Sequence, residues 1–291
     1  MKLAFICGLV TIIALASIPA SAQVPPLELY DNFEAKVLNP DNWLGNEGSA
    51  SAGVSILESG RQIKTEPLFG FKGVDILNRS YASQGSDTGN SSSNTRLLFF
   101  NGGGVSTIQA TVLVKKIQAT GCSAVNTFAT SPRLRIGGGF FNAGAVAPAP
   151  GDQTDDVFAF ITVGRELDSA NAANVLDING TVFRCGDANC SGANMTPIGE
   201  ELLGTVKVNQ KVKLRITWDP TNNEFVFQKG RDPEVSIVYT DDDGFNPGTS
   251  NGGNKRLEVN HQIPNCTSAP RPMAYMEAYF DDVKINLSDG M

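Results

Sequence analysis

From Leu27 onward, apolar and polar residues alternate in short runs separated by Gly, Asn, Asp, Ser and Pro, with almost no helical periodicity. Ile108, Ala110, Val112 and Val114 share one side of the run STIQATVLV. Leu134 and Ile136 alternate with Arg133 and Arg135, and Val157, Ala159, Ile161 and Val163 do the same opposite Phe158 and Phe160. The clearest hairpin is KVKLRITWDPTNNEFVFQKG, where Val212, Leu214, Ile216 and Trp218 share a face and Phe225 and Phe227 return after the turn Asp219-Pro220-Thr221-Asn222-Asn223. This alternation makes Trp218 a core residue, and Trp43, which follows Asn39-Pro40-Asp41-Asn42, reads as a plug beneath the first strand. One helical turn is predicted near Ile198 to Leu203. The pattern predicts an all-β, two-sheet antiparallel sandwich.

The last alternating stretch, MAYMEAYFDDVKINL, changes faces partway along. Met276, Ala278 and Phe280 lie on one side and Tyr275, Glu277 and Tyr279 on the other; after Asp281-Asp282 the apolar side passes to Val283, Ile285 and Leu287. Such an exchange predicts a central strand with one buried face and a bulge at the two aspartates, where an extra residue re-aims the side chains. Three segments read as long loops. Ser83 to Asn94 is polar and is expected to be mobile, Asn142 to Gly151 is small and proline-rich and follows the exposed-looking pair Phe140-Phe141, and Thr240 to Asn254 joins the hairpin to the next strand. No repeat or linker divides the chain.

Lys2, the apolar run Leu3 to Ala16 and the small residues ending at Ala22 have the form of a signal peptide over residues 1–22, too short to remain as a membrane anchor. Residues 23–291 are then one exported domain, secreted or periplasmic, with no membrane insertion after cleavage. The formal net charge of −7, with scattered lysines and arginines, excludes a nucleic-acid footprint and serves solubility. Four cysteines follow the signal: Cys122, Cys185, Cys190 and Cys266. In an exported chain an even number predicts two disulfides. The turn residues inside CGDANC pair Cys185 with Cys190, which leaves Cys122 for Cys266. Zinc is the rival reading, but the chain has one histidine and no paired CxxC knuckles.

LYDNFEAKVLNPDNW, RITWDPTNNEFVFQ and AYFDDVKINL resemble the corners of the concanavalin A-like lectin and glucanase superfamily. The resemblance implies a concanavalin A-like jelly roll; it covers both ends and one hairpin, and the middle resembles that of secreted bacterial proteins. Family 16 glycoside hydrolases within that superfamily carry Glu-x-Asp-x-(x)-Glu on one strand, because retaining hydrolysis needs two carboxylates about 5 Å apart. That triplet is absent here: the nearest acidic strand, starting at Asp155-Asp156, lacks the glutamates, and Glu166-Leu167-Asp168 falls at a strand end. His261 is in phase with Leu257, Val259 and Ile263 and reads as a core or edge histidine. The resemblance further implies a structural Ca²⁺ at Asp281, with carbonyls freed by the bulge. Consecutive carboxylates in Asp241-Asp242-Asp243-Gly244 do not have EF-hand spacing and read as a solvated turn.

The candidate ligand-binding residues are the row Tyr275, Glu277 and Tyr279, joined by Arg133 and Arg135 if their strand lies in the same sheet. Aromatic faces beside charged hydrogen-bonding groups suit a shallow glycan groove on a concave face. The sequence therefore points to a non-catalytic lectin-like module that binds a glycan or cell-surface partner. Two alternatives stand beside it: an extracellular polysaccharide-degrading enzyme with unrecognised catalytic residues, and a structural envelope protein without a small ligand.

Overall fold

A computed structural model of the chain describes residues 26–35, 38–50, 61–68, 71–100, 102–122, 126–143, 152–190, 194–240 and 255–286. The expected signal segment 1–22, most of the loop from 142 to 151 and nearly all of that from 240 to 254 lie outside them. In chain order the strands are β1 (Glu28–Asp31), β2 (Trp43–Ala50), β3 (Arg61–Leu68), β4 (Phe71–Tyr81), β5 (Asn90–Phe99), β6 (Thr107–Ala119), β7 (Ser131–Asn142), β8 (Asp156–Gly164), β9 (Val175–Cys185), β10 (Met195–Lys207), β11 (Val212–Asp219), β12 (Glu224–Lys229), β13 (Val235–Val238), β14 (Arg256–Pro264) and β15 (Met273–Ile285). The helical element among the described residues is a single 3₁₀ turn, Gly102–Gly104.

Two antiparallel sheets form a jelly-roll sandwich of the concanavalin A-like kind. The first runs β13-β12-β11-β6-β15-β4-β3, with β1 added on β15, and the second runs β10-β9-β8-β7-β14-β5-β2. Their facing sides supply the core: Ile108, Ala110, Val112, Leu214, Ile216 and Phe280 from the first sheet meet Leu134, Ile136, Ile161, Ile178, Leu257 and Val259 from the second. A two-residue side-chain period puts all of these inward and sends the intervening residues to the two outer faces. Strand β15 lies inside its sheet, between β6 and β4, and its register shifts between Asp281 and Lys284. Asp282 has φ 48°, and Val283 and Ile285 are buried beyond it. The exchange of faces at the two aspartates is therefore a bulge in the ladder.

Three local expectations are corrected. Ile198 to Leu203 is not helical but part of edge strand β10, whose register along β9 shifts between Pro197 and Gly199 and between Leu202 and Gly204. Each shift breaks the period of two, so the strand does not show it in sequence. Asn90 to Asn94, read as the end of a mobile loop, instead opens β5 and pairs with β14 from Asn260 to Pro264. Its small polar residues turn into a polar part of the space between the sheets, where Asn78 Nδ2 donates to Ser93 Oγ at 3.3 Å and Ser80 Oγ lies 2.8 Å from His261 Nδ1. Phe140 and Phe141 are fully buried, because a bulge between Gly139 and Phe141 lets consecutive rings enter the core. Phe141 stacks on Trp218 at 5.0 Å and Phe140 meets Phe225 edge-on at 5.1 Å.

The buried Trp43 closes one end of the core. Its Nε1 donates to Asp31 Oδ2 at 2.7 Å, and its ring lies 5.1 Å from Tyr30 and 4.8 Å from Phe99. Cys122 is bonded to Cys266, 144 residues away, and Cys185 to Cys190.

Candidate functional site

The two rows of candidate residues stand on opposite sheets. Tyr275, Glu277 and Tyr279 lie on β15 and face outward from the first sheet, whereas Arg133 and Arg135 lie on β7 and face outward from the second. They cannot share a groove. The β15 row also spends its polar groups internally: Lys115 Nζ bonds Glu277 Oε1 and lies 3.0 Å from the Tyr279 hydroxyl, and the hydroxyls of Tyr275 and Tyr279 donate to Glu277 at 3.1 and 3.3 Å. Tyr279 has no exposed surface and the Glu277 side chain keeps 12%. Burial works to raise the Glu277 carboxyl, but Lys115 and the two hydroxyls together hold it below its usual range. Burial first, then the Glu277 charge, pushes the Tyr275 phenol up to about 12.

The outer face of the second sheet is different, and its order follows from the register. One rung runs Arg96, Glu258, Arg135, Thr162, Asn179 across β5, β14, β7, β8 and β9. A second runs Asn260, Arg133, Gly164, Asp177, and a third runs Arg256, Gly137, Phe160, Thr181, Glu200. Gly137 is a necessary gap in the third rung: its φ is +132°, and a Cβ there would sit 2.1 Å from the Ala159 carbonyl oxygen. Without a side chain between them, the Arg256 guanidinium reaches across and lies 5.0 Å from the Phe160 ring centre, and Arg135 lies 5.2 Å from the same ring. Phe183 stacks beside Phe158 at 5.6 Å.

Over these rungs opens a cleft of about 540 Å³, bordered by the loop after β8 and by β10, with Arg133, Arg135, Phe160, Asn179, Phe183 and Glu200 among its lining. This volume is in the range of small-ligand sites. Arg165 braces the bordering loop, donating to the carbonyls of Glu166 at 3.2 Å and of Ser169 and Asn171 at 3.0 Å each. Asn171 Nδ2 in turn fixes Asp177 at 2.7 Å, and Asn179 Nδ2 fixes Glu200 at 2.8 Å. Arg133 is set by Ser131 Oγ at 2.6 Å and Glu166 Oε1 at 3.2 Å. Buried Nε atoms of Arg135 and Arg165 and Oδ1 of Asn179 have no hydrogen-bond partner. Such orphaned groups are rare in folded proteins, and each calls for a partner such as water, an ion or a ligand.

Glu258, fully buried beside Arg135, accepts from Arg135 Nη1 at 3.4 Å and from Arg256 Nε at 2.8 Å. Burial alone would raise its carboxyl, and the guanidiniums of Arg256, Arg135 and Arg96 instead hold it below its usual range. Burial brings Arg135 down to about 10, since Glu258 offsets it only in part and Arg133 and Arg256 add repulsion. Arg133 is also lowered by burial, against the attraction of Glu166 and Glu200.

Arg133 and Arg135 thus belong to the cleft, while Tyr275, Glu277 and Tyr279 do not. Sequence reading missed Asn179, Phe183, Glu200 and Glu258. A usable signal was present in VLDINGTVF, whose outward positions Asp177, Asn179 and Thr181 are all polar although their strand is internal to the sheet. His261 is fully buried between the sheets and takes no part.

Asp281 sits half-buried at the bulge, where its Oδ1 accepts the Asp282 amide at 2.8 Å. Burial, with the charges of Asp282 and Glu34, raises its carboxyl against the pull of Lys211. Crowded carboxylates of this kind fit a hard cation. Among the described residues, the group of three candidate metal ligands within reach of one another is Asp87, Cys122 and Cys266, whose two sulfurs are already joined to each other. Asp87 there accepts both the amide and the hydroxyl of Thr267 at 2.7 Å.

No family model and no curated protein matches the chain. Solved structures similar to it include the catalytic domain of an endo-1,3-β-glucanase (laminarinase) from Thermotoga petrophila RKU-1, 12% identical, covering 91% of this chain and 100% of that one with a TM-score of 0.40. The carbohydrate-binding module CBM66 from Bacillus subtilis is 10% identical over 80% of this chain and 95% of its own, with a TM-score of 0.32. A pseudo β-1,3-glucanase of Mycobacterium tuberculosis is 15% identical over 88% and 97%, with a TM-score of 0.33. Both catalytic and non-catalytic sandwiches are represented, and likeness this remote assigns no role to any residue here.

Proposed function

We propose that this chain is an exported glycan-binding protein whose site is the cleft on the outer face of the second sheet. The observation that carries this reading is the cleft itself: fixed hydrogen-bonding groups on Arg133, Arg135, Asn179 and Glu200 stand beside the rings of Phe160 and Phe183. Saccharides present hydroxyl edges and C–H faces together, and such a lining answers both. Two disulfides support export to an oxidising compartment, secreted or periplasmic. The test is a glycan array followed by calorimetry with Asn179→Ala. Array binding that this variant weakens about tenfold supports the reading; absence of binding to any glycan would favour a structural envelope protein.

A second reading, cleavage of the bound glycan, rests on the carboxylates of Glu166, Asp177 and Glu200, which line the same cleft. Arg133 feels the charges of both Glu166 and Glu200. New reducing or unsaturated ends after incubation with polysaccharides, lost in Glu200→Gln, would establish it.

For Asp281 we propose a structural Ca²⁺, supported by the bulge and by the like charges gathered there. Melting of wild type and Asp281→Ala, each with and without chelator, tests it. The wild type alone should lose stability to the chelator, and four equal transitions would remove the ion.

A further inference from the structure

The loop that borders the cleft after β8 has almost no core of its own. Between Gly164 and Val175, residues 166–168, 170 and 172–174 are exposed. A segment that buries so little apolar surface keeps one conformation through its hydrogen bonds. Arg165 supplies three of them, from Nη1 to the Glu166 carbonyl and from Nη2 to those of Ser169 and Asn171. These acceptors are spread along the loop, so one guanidinium gathers residues 165–171 around itself. The Ser169 amide closes the same turn on the Glu166 carbonyl at 3.1 Å, and the Leu167 amide ties the loop to the Thr130 carbonyl at 3.0 Å. Two side chains held in this way reach partners in the cleft lining: Glu166 Oε1 meets Arg133, and Asn171 Nδ2 holds Asp177. All three acceptors of Arg165 are neutral carbonyls, which return less than a carboxylate would, and its buried Nε has no partner. A guanidinium here therefore stabilises the fold less than its burial and three bonds suggest.

We propose that Arg165 is the positioning residue of this cleft: by holding residues 165–171 in one conformation it sets Glu166 against Arg133 and Asn171 against Asp177, and so governs glycan affinity through groups other than its own. The inference rests on the glycan-binding reading and adds to it a residue that acts through the side chains around the ligand. Glu166 stands on the loop and Asp177 on β9, so one guanidinium orients carboxylates on two elements. The role needs the planar fork, whose two terminal nitrogens reach three separate carbonyls; an ammonium offers one point of donation. With the loop released, both carboxylates lose the geometry that orients them, and a glycan has to order the loop as it binds, which weakens binding. Arg165 itself borders the cleft, and direct contact with the glycan is the rival that the experiment separates.

The experiment joins calorimetry to hydrogen exchange. Cello-, laminari-, manno- and xylo-oligosaccharides and oligogalacturonates are titrated into wild type, and the tightest binder among them into Arg165→Ala, Arg165→Lys, the Glu166→Gln/Asp177→Asn pair and that pair combined with Arg165→Ala. A thermal melt of each variant excludes unfolding, and Arg165→Lys carries the comparison if the alanine variant does not melt cooperatively. Arg165→Ala and Arg165→Lys should each weaken binding about tenfold, because the lysine keeps the charge and loses the fork. In the Glu166→Gln/Asp177→Asn background, removal of Arg165 should change affinity by no more than about twofold, since the groups through which it acts are already gone. Without ligand, the amides of Leu167 and Ser169 should exchange at least about tenfold faster in Arg165→Lys than in wild type. Full affinity in Arg165→Lys, or unchanged exchange at those amides, would overturn the inference and leave the glycan reading standing. A tenfold loss that persists in the paired background would show that the guanidinium contacts the glycan itself, and would also overturn it. No binding of any of these saccharides by wild type would remove the glycan reading, and the inference with it.

Discussion

Two buried charges in β14 and its approach report how far the fold tolerates desolvation. Glu258 is held below its usual range by three guanidiniums, so it contributes stability that is present above the unfolded carboxyl value and is lost as pH falls through the lower folded one. Glu258→Gln leaves Arg135 and Arg256 facing each other, and is expected to cost about 3–5 kcal/mol in urea unfolding at neutral pH. Lys255 is the opposite case. Its Nζ donates to the Gly102 carbonyl at 2.8 Å and lies 4.8 Å from the Phe140 ring centre, and burial brings it down to about 7. Below that value both folded and unfolded states are protonated and the fold carries the full burden of a buried cation. Between about 7 and the unfolded value of 10.5 the folded state sheds its proton first, so stability rises with pH. Lys255→Met should therefore gain most over wild type near pH 6, and that gain should shrink by about 4 kcal/mol by pH 10. A gain that does not vary with pH would place the charge elsewhere.

At the scale of the strand, the bulges decide what the chain can present. The register shift at Asp281 and Asp282 keeps β15 inside the sheet while exchanging its faces, and the shift at Phe140 puts two consecutive rings into the core. Gly137 does similar work on the outer face by letting Arg256 lie over Phe160. Gly137→Ala forces a Cβ against the Ala159 carbonyl, and the expected cost is about 2 kcal/mol or more, with glycan affinity falling further than stability accounts for. Chemical denaturation beside calorimetry checks both. The strands that sequence reading located, such as β8, β11 and β12, keep an unbroken period of two, and β6 keeps it from Ile108 to Val114, before its register shift at Lys115. Strand β10 was hidden by two bulges, and the start of β5 by serines that look like loop composition but face a hydrogen-bonded patch beside Asn78. The cleft was half legible for a related reason. Arg133 and Arg135 stood out by alternation, but placing Glu258, Asn179 and Glu200 beside them requires the order of five strands, which local pattern does not contain.

For the whole molecule, the two disulfides differ in reach. Cys122–Cys266 closes a separation of 144 residues and Cys185–Cys190 one of 5. In the chain-entropy account their removal by paired Cys→Ala substitutions should cost about 5 and about 2 kcal/mol respectively. Equal losses would show that contacts at the bridges outweigh chain entropy. The sandwich also separates its two outer faces: the β15 face satisfies Lys115, Glu277 and the tyrosines among themselves, whereas the β7 face carries the cleft lined by Arg133, Arg135, Asn179 and Glu200. The most direct test is a calorimetric titration of one bound glycan into wild type, Arg133→Gln and Tyr275→Ala. Affinity should fall about tenfold in Arg133→Gln and stay within about twofold of wild type in Tyr275→Ala. Loss of binding in Tyr275→Ala with Arg133→Gln unaffected would contradict the placement of the site on the second sheet.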